Sequence, residues 1–325
     1  MSPSRALASS LVLLVPLLAA CVASHHPTRP SERGRVASPE ELLGVIDRPG
    51  PVEVETVKAA DWVVARSGLV NLDHPKARAA GLEDGDEPIG IYFHVLRHPD
   101  HGVFIVDTGV ESAFRDPDGN ARVGFLLESA MRTGDLDIHT TTAEWLARED
   151  EPLAGVFLTH LHLDHVMGLP DVPPTTPIYV GPGEPEATRF LHLFTRGTID
   201  AMLERSGPLR EWPFDADADA DADTGAGDEP LEGVVDVFGD GSVWALHVPG
   251  HTPGSTAYLA RTPRGPVLYV GDASHTAWGW ENGVEPGTFS LDQPRSAESL
   301  AALRALVEAH PAIEVHPGHQ ERPGA

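Results

Sequence analysis

The chain has 325 residues and a formal net charge of −26, from 23 lysines and arginines against 49 aspartates and glutamates. That balance argues against nucleic acid and anionic lipid headgroups as partners, since phosphate would be repelled. Hydrophobic residues make up 41% of the chain, enough to bury the core of one large domain or two small ones, and a lone cysteine rules out an internal disulfide.

At the N-terminus, Arg5 precedes the apolar run Leu11–Leu18, which is too short to span a bilayer and reads as an export signal. Leu18-Ala19-Ala20-Cys21 resembles the bacterial lipoprotein cleavage box, with Cys21 as the lipidated first residue. The resemblance implies an exported protein anchored through Cys21 to a bacterial membrane, facing periplasm or cell exterior. Residues 22–50, rich in proline, serine, histidine and charge, read as a flexible tether in which His25 and His26 are solvated. The folded domain is expected over 51–325.

Within it, Val52–Val57 alternates as a strand does, as does Ile89–Leu96; Val103–Val106 is a buried strand ending at Asp107. Helices are expected around 122–132 and 141–148. Val156-Phe157-Leu158 then leads into Thr159-His160-Leu161-His162-Leu163-Asp164-His165. Three imidazoles and a carboxylate in six residues are the donor set of a zinc-class cation. In an extended segment His160 and His162 point to one side, and Asp164 and His165 follow at a turn, where they can aim at a second, adjacent centre. Two metal ions are expected rather than one.

Between residues 184 and 212 an apolar helical stripe (Phe190, Leu193, Phe194, Ile199, Met202, Leu203) is either core or a wall of a substrate pocket. Asp215–Asp223 alternates aspartate with alanine and, with the residues to 230, reads as an acidic surface loop. Strands follow at Val234–Val237, Val243–Leu246, around Tyr258, at Val267–Val270 and at Ile313–Val315. Three of these runs lead to glycine-containing turns: Pro249-Gly250-His251-Thr252-Pro253-Gly254, Gly271-Asp272-Ala273, and His316-Pro317-Gly318-His319. Trp278 and Trp280 either line the site or pack a loop. A helix fits 296–309, with Leu300, Leu303, Leu306 and Val307 at helical spacing and Pro311 beyond its end. Strands and helices mixed in two halves imply an α/β (α+β) αββα sandwich of two mixed sheets flanked by helices.

These motifs resemble the metallo-β-lactamase-fold hydrolases: His160-x-His162-x-Asp164-His165, then His251, Asp272 and His319, with Val106-Asp107-Thr108-Gly109 upstream. The match runs from about residue 52 to the C-terminus, and its turns look most like the N-acyl-homoserine lactonase branch. The resemblance implies two divalent metal ions, with zinc the expected element. His160, His162 and His251 would hold the first, Asp164, His165 and His319 the second, and Asp272 would bridge them. A water activated between the ions would attack the carbonyl of a small ester or lactone. Asp164 and His275 are the catalytic candidates; His275 stands where such lactonases often carry a tyrosine that hydrogen-bonds the substrate carbonyl. Asp107 is expected to fix the ligand loop without touching metal, and His316 to orient a ligand or pack beneath the site. The remaining histidines (His94, His98, His101, His139, His192, His247) read as structural. Competing readings are a periplasmic β-lactamase-type amide hydrolase and a non-catalytic metal- or ligand-binding lipoprotein.

Overall fold

Alternation along the strands sorts the apolar side chains into three separate cores, and these cores set the layering. The computed structural model describes residues 22–116, 119–189, 191–214, 231 and 233–322. Cys21, Phe190 and the Asp-Ala run lie outside the described residues. The first strands in chain order are β1 (Thr28–Pro30), β2 (Arg35–Ala37), β3 (Glu53–Ala65), β4 (Asp86–His98), β5 (Gly102–Val106), β6 (Asp137–Ile138) and β7 (Leu153–Phe157). They are followed by β8 (Ile178–Val180), β9 (Leu209–Glu211), β10 (Val234–Asp236), β11 (Val243–His247), β12 (Thr256–Thr262), β13 (Gly265–Gly271) and β14 (Glu314–Pro317). The helices that cover the sheets are α1 (Pro39–Leu43), α2 (Arg66–Leu69), α3 (Pro75–Ala79), α4 (Phe125–Met131) and α5 (Thr142–Leu146). After these come α6 (Leu163–Val166), α7 (His192–Leu203), α8 (Ala277–Asn282) and α9 (Gln293–Ala309).

One sheet has eight strands in the order β1-β9-β8-β7-β5-β4-β3-β6, the other six in the order β14-β13-β12-β11-β10-β2. The register puts Phe104 and Val106 of β5, Val243 and Ala245 of β11, and Tyr258 and Ala260 of β12 into the core between the sheets. Their neighbours Val103 and Ile105 face the helices of the larger sheet, and Trp244, Leu246, Ala257 and Leu259 face those of the smaller. Strand alternation of period two requires this division. The result is the αββα layering expected, with unequal sheets.

Phe157 stacks on Phe104 and Tyr258, with ring centroids at 4.8 and 5.5 Å. The Tyr258 hydroxyl accepts from Trp212 Nε1 and donates to the Leu158 carbonyl, both at 2.9 Å, so the smaller sheet holds the exit of β7 in place. Strands β5, β7 and β8 run parallel, as do β13 and β14. Parallel neighbours end at the same edge of a sheet, which gathers the turns after β5, β7 and β13 on one side of the sandwich.

Residues 22–50 differ from the flexible tether expected. β1 pairs in parallel with β9 and β2 antiparallel with β10, so this stretch adds an edge strand to each sheet. Leu42 of α1 and Ile46 are fully buried in the outer core of the smaller sheet. Backbone pairing and these two anchors outweigh a polar, proline-rich composition. His26 is likewise held, its ring donating to the Gly207 carbonyl at 2.9 Å. Helix α9 begins three residues before the expected start because Asp292 caps it, accepting from Arg295 N, with Pro294 in the first turn. Among the described residues no helix is long and apolar enough to cross a membrane.

Candidate metal centre

Each ligand motif sits where a strand stops. β7 ends at Phe157, and the loop that follows turns His160 and His162 toward each other, ring centroids 4.6 Å apart. The single turn of α6 then carries Asp164 and His165. The turn after β11 supplies His251, Asp272 follows directly on the end of β13, and the turn after β14 supplies His319. Two glycines permit this convergence: Gly271 takes a left-handed φ of +52°, and a side chain at Gly318 would strike the Asp272 carboxylate.

The donors form two groups, His160–His162–His251–Asp272 and Asp164–His165–His319. Asp272 belongs to the first, and its carboxylate also reaches the histidines of the second. Its Oδ2 lies 3.2 Å from His251 Nε2 and 3.5 Å from both His160 Nε2 and His165 Nε2, and its Oδ1 is 3.3 Å from His319 Nε2. Asp164 Oδ2 stands 3.2 Å from His319 Nε2, and His251 Nε2 is 2.8 Å from His162 Nδ1. His160 Nε2, His165 Nε2, His275 Nε2 and Asp272 Oδ1 are buried without a hydrogen-bond partner. Buried polar atoms are rarely left unpaired, so four converging on one point fit a site built for divalent cations.

The outer nitrogens explain why the inner ones are available. Asp107 Oδ2 accepts from His165 Nδ1 at 2.8 Å, and the Gly90 carbonyl accepts from His319 Nδ1 at 3.0 Å. The Thr159 hydroxyl donates to Asp107 and accepts from His160 Nδ1 at 3.0 Å. In each neutral ring the proton sits on Nδ1 and the Nε2 lone pair points inward. Asp107 Oδ1 also accepts from Thr159 N at 2.8 Å, so this residue fixes the ligand loop, as expected, and sets a ligand's tautomer as well.

Burial pushes His160 and His162 well below the usual imidazole range and His251 down to about 4, which keeps all three in the ligating form. Burial acts the same way on His165 and His319, but the nearby carboxylates overcome it, raising His165 and taking His319 to about 10. Asp272 is buried, which works against its charge, yet His275, His319, His165 and His251 hold it well below the usual carboxylate range. The field that draws positive charge onto His165 and His319 is the one that attracts a divalent cation.

His275 lies within the site, Nε2 3.0 Å from Asp272 Oδ2, but its Nδ1 donates to the Leu69 carbonyl at 3.1 Å. In the neutral ring Nε2 is therefore an acceptor, and the carbonyl donation expected of this position requires the imidazolium. His316 sits apart from the ligands: its Nε2 meets Glu314 at 2.9 Å and its ring packs on Tyr269 and His94. Of the histidines read as structural, His98 is held by Asp240, His139 by Asp61 and His247 by the Pro253 carbonyl, while His192 lines the cavity above the ligands.

A cavity of about 490 Å³ opens onto His162, Asp164, His251, Asp272, His275 and His319. Its walls are largely apolar, from Trp62, Leu69, Leu127, Met131, Leu161 and Ile199. The stripe on α7 serves both expected roles: Ile199, Met202 and Leu203 are buried, and Ile199 with Leu191 also lines the cavity, whereas Leu193 and Phe194 are exposed. Trp280 packs into the outer core of the smaller sheet, and neither it nor Trp278 lines this cavity.

Glu184 is the main contributor that sequence reasoning missed. Fully buried, it accepts from Leu161 N at 2.9 Å, from Gly254 N at 2.8 Å and from the Thr252 hydroxyl, tying the loop that carries His160 to the turn that carries His251. The signal available was Gly181-Pro182-Gly183-Glu184, a glycine turn after a strand like those that carry ligands.

Residues 86–319 match the family model of the metallo-beta-lactamase superfamily. An N-acyl homoserine lactonase of Azorhizobium caulinodans is 30% identical over 233 residues, 69% of this chain and 79% of that protein. One from Agrobacterium fabrum is 30% identical over 167 residues, 49% of this chain; the match spans 56% of the relative's own length. The fold is similar to that of an N-acyl homoserine lactone hydrolase with the product N-hexanoyl-L-homoserine at its catalytic metal centre, with a TM-score of 0.57. The two are 21% identical, and the match covers 82% of this chain and 92% of that one. With the ligand turns in order on an αββα sandwich, the chain belongs to the metallo-β-lactamase superfamily, in its N-acyl homoserine lactonase branch.

Proposed function

We propose that this protein hydrolyses the carbonyl–oxygen bond of a neutral lactone or small ester at a dinuclear zinc centre. The observation that carries this reading is the apolar cavity opening onto both ligand groups at once. His160, His162 and His251 would hold one ion, Asp164, His165 and His319 the other, with Asp272 between them. Bound there, a divalent pair supplies Lewis acidity and lowers the pKa of water toward neutrality.

The chain's own residues do the rest. The apolar walls hold the acyl side of the substrate and exclude bulk water. Asp164, 18% exposed where Asp272 is 3% exposed, is the ligand carboxylate most open to the cavity, and takes and returns the proton of the attacking water. His275, with Nδ1 committed to Leu69 O, holds its ring in the cavity wall beside Asp272, where it positions the substrate carbonyl.

The arginines of the cavity favour a neutral lactone over a β-lactam. Both are already engaged: Arg189 donates to the Thr288 and Phe289 carbonyls, and Arg132 pairs with Asp86 and Asp135. Neither is left over to pair with the carboxylate that a β-lactam carries and a lactone lacks. Screening the metal-supplemented protein against acyl-homoserine lactones, aryl esters and a cephalosporin tests the assignment. Turnover of the first two and not the third is expected; cephalosporin turnover alone, or none on any, overturns it. Export and lipid anchoring at Cys21 belong to the same proposal, on sequence grounds. Cys21→Ser should release the protein from the membrane fraction, and membrane association that survives the change defeats the anchoring.

A further inference from the structure

The cavity has one wall that comes from outside the ligand-bearing sandwich. Val22 forms an antiparallel bridge with Thr188. Ala23 N donates to the Ala187 carbonyl at 2.9 Å and Ser24 N to the Pro185 carbonyl at 3.1 Å. The Ser24 hydroxyl then donates to Asp200 Oδ1 of α7 at 2.6 Å, and His25 N reaches the same oxygen at 2.8 Å. These bonds lay residues 22–25 across the turn before α7. Ala23 and Ser24 are 7% and 4% exposed, and Ala23 lines the cavity with Leu161, Leu191, His192 and Ile199.

We infer that this N-terminal latch is the specificity wall of the enzyme, and that Ala23 sets how long an unbranched acyl group the cavity accepts. The inference rests on the acyl-substrate reading given above. Three features point to it. The residue at the wall is alanine, whose side chain is a single methyl group, so a larger residue there would take up cavity space. The wall is fastened by Asp200, on the helix whose Ile199, with Leu191 before its first turn, forms the adjoining surface, so wall and helix are tied together. The segment belongs to neither ligand group, so it can change without disturbing the metal centre. The substrate class is a lactone or ester with an extended, apolar acyl chain that runs from the metal ligands between α4 and α7 toward Ala23.

The test uses the full chain, wild type against Ala23→Trp and the milder Ala23→Leu, on homoserine lactones with acyl groups of four to twelve carbons. Burying each further methylene should improve kcat/KM by about fourfold until the wall is met. Both variants should lower the ratio of long-chain to short-chain kcat/KM by at least about tenfold, at unchanged metal content. Ser24→Ala, which removes one of the latch's two bonds to Asp200 and leaves that of His25 N, should shift the optimum to longer chains. A ratio unchanged in both Ala23 variants, with metal retained, overturns the inference. Calorimetric binding of non-hydrolysable N-acyl amines of the same lengths separates it from the reading beneath. Length-dependent binding that Ala23→Leu shortens, without lactone turnover, refutes the lactonase assignment and supports the wall. Lactone turnover with binding of unaltered length dependence refutes the wall alone.

Discussion

Replacing Asp107 with asparagine should separate the two halves of the metal centre. The backbone accepts the change, because Asp107 has a φ of +58° and asparagine tolerates that left-handed conformation. The carboxylate now accepts from Thr159 N at 2.8 Å with one oxygen and from His165 Nδ1 at 2.8 Å with the other. An amide has only one oxygen. If that oxygen stays with Thr159, an NH₂ group faces His165 Nδ1, and the ring relieves the clash by carrying its proton on Nε2, which then cannot ligate. If the amide turns over, the buried Thr159 N–H loses its acceptor, at about 1–3 kcal/mol. Loss of such an outer-shell partner weakens metal binding by about 10–100-fold, or about 1.4–2.7 kcal/mol. The loss should fall on the ion that Asp164, His165 and His319 would hold, and much less on the one that His160, His162 and His251 would hold. Competition titration against a chromophoric chelator reads the two affinities. Equal weakening at both, or at neither, would refute the tautomer argument.

Glu184 gives a pH test. Burial takes its carboxyl up to about 7 from an ordinary 4.5, against three opposing donors. The folded state therefore holds this proton more tightly than the unfolded chain, so its contribution is full below pH 4.5 and lost as pH rises through about 7. In metal-free protein, wild-type stability relative to Glu184→Gln should fall by up to about 3 kcal/mol over that window, followed by urea denaturation. A difference independent of pH contradicts it. Tyr258→Phe removes a hydroxyl that serves both Trp212 Nε1 and the Leu158 carbonyl, so stability should drop by about 1–3 kcal/mol with the urea m-value unchanged. A change under about 0.5 kcal/mol, the scale of an ordinary surface substitution, would mean that those groups find other partners.

The candidate metal ligands are legible in the sequence because the chemistry is dense and local. Three imidazoles and an acid within six residues have few other uses, and His251, Asp272 and His319 each follow an apolar run and a glycine. The strands of the inter-sheet core are legible for a related reason, since Val103–Val106 and Val243–Leu246 carry continuous apolar residues that serve two faces. What stays hidden depends on partners far along the chain. β1 and β2 are three residues each, too short to show alternation; only their pairing with β9 and β10 makes them strands. The role of Glu184 exists through Leu161, 23 residues back, and Gly254, 70 residues on. The tautomer of His275 is set by the Leu69 carbonyl, 206 residues away, so its identity alone could not reveal whether it donates or accepts.

Metal content is the most direct measure of whether distant side chains assemble one dinuclear site. The purified full chain, supplemented with zinc and freed of excess, should carry two equivalents per chain by elemental analysis. His319→Ala should retain about one, since His160, His162, His251 and Asp272 remain. Less than one equivalent in the wild type would contradict the account.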